Sequence, residues 1–307
     1  MARSIDYNEL KAFISNFSLD SCTPHGNQGY NRVLLQLFGF AGHGKSSYIN
    51  SCKYVVDGGD YKVYASVAEH KEAPCTMTRN AYELTGTITL VDNRGCVTMN
   101  KDETAEIYLQ LGNFLPVDCK VSWERGFSGV MKTILASERD GQFTDFIVPI
   151  FVYSVEKSIA DQEVEELKQL LRHAQEITGV LPTVVLTHET NENLAHVKEK
   201  FRQMGVRNIF PVENYTKEDH LKTRGKHETI LWCLSEICKD VQFRMEERRD
   251  PTEEKIQRKE FLFTFAHERE LEKQRLESER LAAAAKPVEI PPQIGLLPSV
   301  LKMLRLK

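Results

Sequence analysis

The chain has 307 residues, of which 41% are hydrophobic, and its formal net charge is −4 at pH 7. This length allows one sizeable α/β domain with extensions or two domains, and the acidic balance gives no reason to expect a nucleic-acid partner. The seven cysteines are scattered without a C-x-x-C pair and the first residues contain no apolar stretch, so we expect a reduced, cytoplasmic protein without disulfides, a zinc site or a signal peptide.

The N-terminal part of the chain leads into a phosphate-binding motif. A short helix is predicted at Tyr7–Phe17, followed by a polar connection, so that residues 1–30 precede the main domain. A strand is predicted at Arg32–Phe38, and Gly39–Ser46 then reads Gly-Phe-Ala-Gly-His-Gly-Lys-Ser. This is a complete G-x-x-x-x-G-K-S loop between a strand and a segment that can continue as a helix, which is the context expected of a nucleoside-phosphate site.

The residue types of this loop predict its chemistry. Glycines let the backbone bend so that successive N–H groups face phosphate oxygens, and the start of the helix adds a partial positive charge. Lys45 is expected on the β- and γ-phosphates as a catalytic residue, and the Ser46 hydroxyl is expected on Mg²⁺. His43 is a candidate donor to the nucleotide, although a solvated loop histidine is the favoured alternative. The predicted nucleotide-binding residues of the loop are Gly39, Gly42, His43, Gly44, Lys45, Ser46 and Ser47.

Two further strands are predicted at Ala81–Thr85 and Thr87–Asp92, as an antiparallel hairpin across Gly86. The segment ahead of them is a predicted loop that contains Thr76 and Thr78. A threonine there can hold Mg²⁺ with its hydroxyl and the γ-phosphate with its N–H, which orders the loop only while the triphosphate is bound. The spacing does not choose between the two threonines, and solvated loop threonines are the alternative.

Asp92 ends the second of these strands and begins the sequence Asp-Asn-Arg-Gly. In P-loop proteins an acid at this place holds Mg²⁺ through water, and the N–H of the following glycine, here Gly95, can meet the γ-phosphate. The alternative is an ordinary turn aspartate. The predicted metal-binding residues are Ser46, Thr78 and Asp92.

The same segment predicts slow hydrolysis. Cys96 follows Gly95 where small GTPases carry a water-orienting glutamine, and the phosphate loop contains no arginine. Arg94 is the candidate catalytic arginine, with Lys45 and Thr78, because it can reach the phosphates or a partner across a homodimer formed through the nucleotide face. Residues 93–97 and 118–141 are the candidate interface segments.

The middle of the chain alternates between apolar strands and helical patterns, which predicts a mainly parallel sheet with right-handed crossovers. The later predicted strands are Phe146–Ser154, Thr183–Thr187 and Asn208–Glu213, and the predicted helices are Asp161–Thr178, Glu192–Met204 and Lys226–Phe243.

Base recognition is expected in the loops after the later strands. Guanine-binding proteins usually place N/T-K-x-D here, and its aspartate accepts the N1–H and N2–H of the base. Thr187 and His188 are predicted to bind the base, but Thr190 stands where the aspartate would be and cannot supply a carboxylate. We therefore expect a weak preference for guanine unless Glu189 or Glu192 supplies the acid.

The loop after the last predicted strand adds two candidates. Asn214 and the ring of Tyr215 are predicted to close over the base, with a capping asparagine and a core tyrosine as the alternative.

These elements together resemble the interferon-induced protein 44 family of GTPases. The resemblance is carried by Gly39–Ser46, Asp92–Gly95, the Leu186-Thr-His sequence and Glu213-Asn-Tyr215, which precedes an Ile-Leu-Trp helix. It covers roughly residues 30–243. It implies a Ras-like G domain with GTP or GDP and Mg²⁺ as cofactors and, in vertebrate members, a link to innate antiviral responses.

The C-terminal part of the chain has a different composition. We predict a charged helix over residues 246–286 with a break near Asp250-Pro251, after a G domain spanning residues 31–245. Residues 287–307 are apolar and basic. This tail is expected to fold back or to be disordered, and docking on a protein partner or a membrane surface is the alternative.

The sequence thus predicts an α/β fold of the P-loop NTPase class with a Ras-like G domain: a mainly parallel sheet, helices on both faces and a charged C-terminal helix. The predicted function is a cytoplasmic GTP-binding protein with slow Mg²⁺-dependent hydrolysis, acting as a nucleotide-gated switch or a self-assembling G protein. The alternative is a non-enzymatic interaction protein on a degenerate G domain. An ATP-dependent small-molecule kinase fits the phosphate loop but not the Asp-Asn-Arg-Gly sequence.

Overall fold

A computed structural model of the chain describes residues 6–66, 78–98, 101–122, 124–138 and 144–284. The helices in these ranges are α1 (Tyr7–Ser15), α2 (Lys45–Asp57), α3 (Lys101–Leu111), α4 (Gly126–Ser137), α5 (Asp161–Thr178), α6 (Leu194–Gln203), α7 (Arg224–Arg244) and α8 (Pro251–Ala284). The strands are β1 (Arg32–Phe38), β2 (Thr78–Glu83), β3 (Ile88–Asp92), β4 (Cys119–Lys120), β5 (Asp145–Ser154), β6 (Thr183–Thr187) and β7 (Ile209–Val212). Thr76 and the tail 287–307, for which roles were predicted, lie outside the described residues.

These strands form one mixed sheet in the order β4-β2-β3-β1-β5-β6-β7. The pairs β1–β3, β1–β5, β5–β6 and β6–β7 are parallel. β2 runs antiparallel to both β3 and β4, and Arg79 pairs with the exposed Cys119 at this edge. The predicted hairpin is therefore confirmed. Because the carboxyl ends of parallel strands meet at one edge of a sheet, the loops after β1, β3, β5, β6 and β7 lie close together.

Helices cover both faces of the sheet. On one face α1, α2 and α7 pack against β1 residues such as Val33 and Leu35. On the other face α3, α4, α5, α6 and the first turns of α8 pack against β5 residues such as Phe151 and Tyr153. Residues of one strand contribute to both faces because successive side chains of a strand point to opposite sides of the sheet. This is the predicted α/β architecture of a P-loop NTPase, and the antiparallel β2–β3 hairpin next to β1 is the arrangement of a Ras-like G domain.

The observed elements agree with the sequence patterns to different degrees. β1, α5 and β6 have the predicted bounds, whereas β2 begins at Thr78 rather than Ala81. The sequence patterns do not predict α3 or α4, and α4 lies within the segment 118–141 that was predicted to form an interface.

The chain divides into two compact units, Met1–His267 and Glu268–Lys307. In the first unit, the early part of α8 buries Leu262 and Phe265, and the Phe265 ring lies 4.9 Å from that of Tyr108. In the second unit, α8 carries exposed leucines and short-range ion pairs such as that of Arg275 with Glu279. Within the described residues, no helix is both long enough and apolar enough to cross a bilayer.

The break between α7 and α8 has a local cause. α7 ends at Arg244 and α8 begins at Pro251, as the sequence near Asp250-Pro251 predicted. Asp250 Oδ1 accepts the backbone N–H of Thr252 at 2.8 Å, which satisfies one of the free N–H groups at a helix start. Proline is favoured at the first helical position because it has no N–H to leave unbonded.

A buried arginine ties the hairpin to the centre of the sheet. Arg79 in β2 is 0% exposed. Its guanidinium donates hydrogen bonds to oxygens from β1, from the residue after β3 and from the segment after α3. These acceptors are Gln36 Oε1 at 2.9 Å, Asn93 Oδ1 at 2.9 Å, Asn113 Oδ1 at 2.8 Å and the carbonyl oxygen of Leu115. Burial lowers the pKa of Arg79 to about 9, so the group is still charged at neutral pH.

Replacing Arg79 with methionine is expected to destabilise the fold strongly. The substitution keeps the side-chain length but leaves the acceptors around it without a donor inside the protein. Each buried acceptor that loses its donor in this way typically costs about 1–3 kcal/mol. The measurement is the free energy of unfolding in urea. Arg172→Met is the control, since the Arg172–Glu176 pair is exposed and such pairs contribute less than about 1 kcal/mol. Equal decreases in the free energy of unfolding of the two variants would contradict the stabilising role of Arg79.

Candidate functional site

The phosphate loop has a backbone that only glycine accommodates. Gly39, Gly42 and Gly44 have φ angles of +134°, +75° and +91°. A Cβ atom on Gly39 would lie 2.5 Å from the carbonyl oxygen of Val152 in the neighbouring strand, so no side chain fits there. Lys45 then begins α2, whose first turn contains Ser46 and the predicted binding residue Ser47. The loop therefore presents backbone N–H groups and a helix N-terminus at one place.

The Lys45 side chain lies inside the loop rather than in solvent. It is only 6% exposed, and its Nζ donates to the carbonyl oxygens of Gly39 at 3.3 Å and Phe40 at 2.8 Å. Burial lowers the pKa of Lys45, while the nearby Asp92 carboxylate acts in the opposite direction. A Cβ atom on Gly95 would come within 2.7 Å of Lys45 Nζ, so the glycine is what lets these two segments approach. The ammonium is thus held inside the loop by two of its carbonyl oxygens.

Ser46 and Asp92 meet at the carboxyl edge of the sheet. Ser46 Oγ donates to Asp92 Oδ2 at 2.6 Å, and Asp92 is 1% exposed. A hydroxyl and a carboxylate are the hard oxygen ligands that Mg²⁺ prefers, and the ion commonly takes its remaining ligands from phosphates and water. Among the residues that the structure describes, no group of three or more His, Cys, Asp or Glu side chains could hold a metal alone. The pair therefore fits an ion that arrives with a phosphate ligand.

Thr78 lies at the same edge of the sheet. Asn80 pairs with Asp92, and β2 runs antiparallel to β3, so Thr78 extends past the carboxyl end of β3. Thr78 itself pairs with Lys120 of β4. Thr78 and Asp92 therefore lie at one edge of the sheet, but this does not decide between Thr78 and Thr76, because Thr76 lies outside the described residues.

The segment after Asp92 is bonded to the phosphate loop. The N–H of Ala41 donates to the carbonyl oxygen of Cys96 at 2.7 Å, and the Cys96 N–H donates to that of Gly39 at 3.2 Å. The Cys96 thiol is 3% exposed, and burial raises its pKa to about 12. It is therefore a neutral, buried group that does not replace a water-orienting glutamine.

Arg94 is held against a helix in this structure. Its Nη1 forms an ion pair with Glu106 Oε2 of α3 at 3.0 Å, and its backbone N–H donates to Gln110 Oε1 at 2.9 Å. The predicted reach of Arg94 toward the phosphates or across a dimer therefore requires that it first leave Glu106.

The His43 side chain is buried, whereas its loop sequence favoured a solvated side chain. It is 8% exposed, its Nδ1 accepts the backbone N–H of Ser154 at 3.2 Å, and its ring packs edge-on against Tyr153. Burial and the neighbouring charge of Lys45 lower its pKa to about 3. The prediction of a solvated histidine is wrong: His43 is a neutral ring that fixes the phosphate loop to β5.

The two candidate base loops contact the phosphate loop from the other side. Thr187 Oγ1 donates to the carbonyl oxygen of His43 at 3.1 Å, and Asn214 Nδ2 donates to that of Gly44 at 3.3 Å. His188 has a φ of +62°, with Nδ1 3.1 Å from Ser154 Oγ. The Asn214 amide is therefore bonded to the phosphate loop, and its contact with the base stays a prediction.

Tyr215 is a core residue, not a cover for the base. It is 0% exposed, its hydroxyl lies 2.5 Å from His227 Nδ1, and its ring packs edge-on against Tyr54. The predicted contact between its ring and the base is not possible in this arrangement, because the ring lies beneath α2 and α7.

One contact in these loops was missed by the sequence patterns. Glu213 Oε2 accepts the N–H of Thr190 at 3.3 Å and its hydroxyl at 3.2 Å. The two residues are far apart in the chain, and the parallel pairing of Thr187 with Val212 brings them together. The signal that could have found it is the order of the strands, not a local motif.

Comparisons with known proteins add little to this geometry. No family model and no curated protein sequence matches the chain. One solved structure with a similar fold concerns the chloroplast translocon components atToc33 and psToc159, for whose GTPase activity dimerization is important. It is 13% identical, the match covers 69% of this chain and 85% of that chain, and the TM-score is 0.36. The chain has a P-loop NTPase fold. That statement depends on the strand order and the phosphate loop described above.

Replacing His43 with asparagine is expected to make the protein less sensitive to acid. The folded state keeps this imidazole neutral down to about pH 3, whereas the unfolded chain binds the proton below about pH 6.5. Wild-type stability should therefore fall as the pH drops from about 6.5 toward 3, and the His43→Asn variant lacks that contribution. The asparagine oxygen can still accept the Ser154 N–H.

The measurement is the melting temperature of both proteins over that pH range. His196→Asn is the control, because His196 is exposed on α6. Parallel curves for wild type and His43→Asn would contradict the buried, neutral histidine.

Proposed function

We propose that the protein binds GTP and Mg²⁺ and hydrolyses GTP slowly, acting as a nucleotide-gated switch or a self-assembling G protein. The observation that carries this proposal is the convergence of Lys45, Ser46 and Asp92. The ammonium lies inside the loop, and the hydroxyl and carboxylate are 2.6 Å apart beside it. These are the groups that bind the triphosphate and its metal ion in P-loop proteins.

Each residue of the site has a distinct task in this proposal. Lys45 and the loop N–H groups bind the β- and γ-phosphates, while Ser46 and Asp92 hold Mg²⁺, which neutralises charge on the phosphates when bound. Because Gly95 has no side chain, its backbone can lie close to Lys45 Nζ at the γ-phosphate position. His43, Thr187 and Asn214 act through the loop backbone and are positioning residues.

The same geometry supports slow turnover by the isolated molecule. The Cys96 thiol is buried, and the His43 ring is neutral and already used by Ser154. The Arg94 guanidinium is paired with Glu106. Neither of the candidate donors, His43 and Arg94, is therefore placed to stabilise charge developing on the γ-phosphoryl oxygens.

Two finer parts of the proposal come from the sequence. The resemblance to the interferon-induced protein 44 family supports GTP as the nucleotide and a role in innate antiviral responses. The scattered cysteines support a cytoplasmic location.

A nucleotide-binding interaction protein without turnover is the second candidate. It is favoured by the same Arg94–Glu106 pair, which withholds the candidate catalytic arginine. In that case nucleotide would change the surface that the protein offers to a partner, and the rate of hydrolysis would be irrelevant.

Replacing Lys45 with alanine is expected to weaken GTP binding at least tenfold, because a contact to a charged group contributes about 1.5–3 kcal/mol. The measurement is a titration with fluorescent GTP and GDP in the presence and absence of Mg²⁺, with circular dichroism to show that the variant is folded. Lys239→Ala on the exposed face of α7 is the control. Unchanged binding by a folded Lys45→Ala protein would contradict the phosphate-loop assignment.

Turnover is expected to be slow at low protein concentration and to rise as the concentration increases, if Arg94 acts across a dimer. An arginine supplied in trans accelerates known switches by about 10³–10⁵. Arg94→Ala should abolish the rise. Glu106→Gln should enhance it, since that variant releases the guanidinium.

Phosphate release per molecule should be measured over a wide range of protein concentrations for these proteins. Fast turnover that does not depend on concentration would exclude both the slow monomer and the assisted dimer. Slow turnover that stays independent of concentration would favour the interaction protein.

A further inference from the structure

The segments at the carboxyl ends of β6 and β7 lie beside the phosphate loop, where the base of a bound nucleotide is expected. Thr187 and Asn214 bond to successive carbonyl groups of the phosphate loop, those of His43 and Gly44. The chain continues from Thr187 toward Thr190, and Glu213 directly precedes Asn214. A nucleoside whose phosphates lie on the loop therefore has its base next to these two segments, at the carboxyl edge of β6 and β7.

We propose that Glu213 supplies the carboxylate that binds the guanine base, in place of the aspartate that the N/T-K-x-D motif would have at Thr190. This inference rests on the proposed function, since it assigns a residue to the base half of the same site. The observation that carries it is the pair of hydrogen bonds from Thr190, from its N–H at 3.3 Å and its hydroxyl at 3.2 Å, to Glu213 Oε2. The carboxylate thus lies within one hydrogen bond of the motif position that lacks an acid.

The geometry of the pair leaves the carboxylate able to bind a ligand. Both bonds from Thr190 use Oε2, and none of the hydrogen bonds among the described residues engages Oε1. Glu213 is partly exposed, at the junction of β7 and the following loop. Thr190 fixes the orientation of the group, so little side-chain freedom remains to be lost when the base binds.

The other acids nearby are less suitable. Glu189 is partly buried, and its pKa is raised first by burial and then by the charge of Glu213. Glu192 is exposed. Glu189 and Glu213 thus place two partly buried carboxylates in this pair of loops. The N1–H and N2–H donors of guanine complement such a surface, whereas adenine presents an acceptor at N1 that the carboxylate repels.

The test is a set of nucleotide titrations with wild type, Glu213→Gln and the exposed control Glu192→Gln, each with Mg²⁺. The probes are GTP, ITP, XTP and ATP. ITP lacks the N2 amine, and XTP carries an oxygen there that accepts a hydrogen bond. Wild type should bind GTP about 10- to 100-fold more tightly than ATP, and ITP with intermediate affinity.

Glu213→Gln should lose about 10- to 100-fold in GTP affinity, keep its ATP affinity, and gain in XTP affinity because the amide can donate to the xanthine oxygen. Glu192→Gln should match wild type. Equal losses of GTP and ATP, or a loss of GTP without a gain of XTP, would show that Glu213 only braces the loop and would overturn the inference. So would equal affinities of wild type for GTP and ATP.

A second variant tests whether the carboxylate position is already filled. Thr190→Asp restores the motif's acid, but it places a second carboxylate against Glu213. If Glu213 is the base-binding acid, GTP affinity should fall in this variant, and a rise would overturn the inference. The proposed function fails separately: it fails if wild type binds none of the four triphosphates, whereas loss of the inference alone leaves Lys45-dependent binding intact.

Discussion

The arrangement of carbonyl groups in the phosphate loop is the constraint on which the site depends. A loop that binds phosphate must turn its N–H groups inward, so its carbonyl oxygens need donors elsewhere. Here Lys45 and Cys96 donate to the carbonyl of Gly39, Thr187 to that of His43 and Asn214 to that of Gly44. The donors come from α2, from the segment after β3, from the last residue of β6 and from the loop after β7. The shape of the loop is therefore a property of the whole carboxyl edge of the sheet.

The parts of the fold that follow from the sequence are those with a strong local signal. β1, the phosphate loop and the start of α2 form one continuous motif, and α5 has a regular apolar period. α3 and α4 were not predicted. α4 contains glycine and serine in its first turns, which are weak helix formers, and its helical state depends on packing of Val130 and Ile134 against the sheet layer.

The site could be predicted where each residue belongs to a recognisable local pattern. Lys45 and Ser46 belong to one motif, and Asp92 was recognisable because it ends an apolar strand. The burial of His43 and Tyr215 could not be read from their loops, since it is imposed by β5 and by α2 and α7. The Glu213–Thr190 contact depends on the register of two parallel strands, a property that no single segment encodes.

The exposed thiol of Cys119 in β4 gives experimental access to this edge of the sheet. Cys22, Cys52, Cys96, Cys233 and Cys238 are buried, whereas Cys119 is exposed and pairs with Arg79, the residue after Thr78. A fluorophore attached to Cys119 would therefore sit beside the strand that begins at the candidate metal-binding threonine. Cys75, which lies outside the described residues, would first be replaced by serine. The labelled protein would then report in real time whether the edge of the sheet moves when nucleotide binds at its centre.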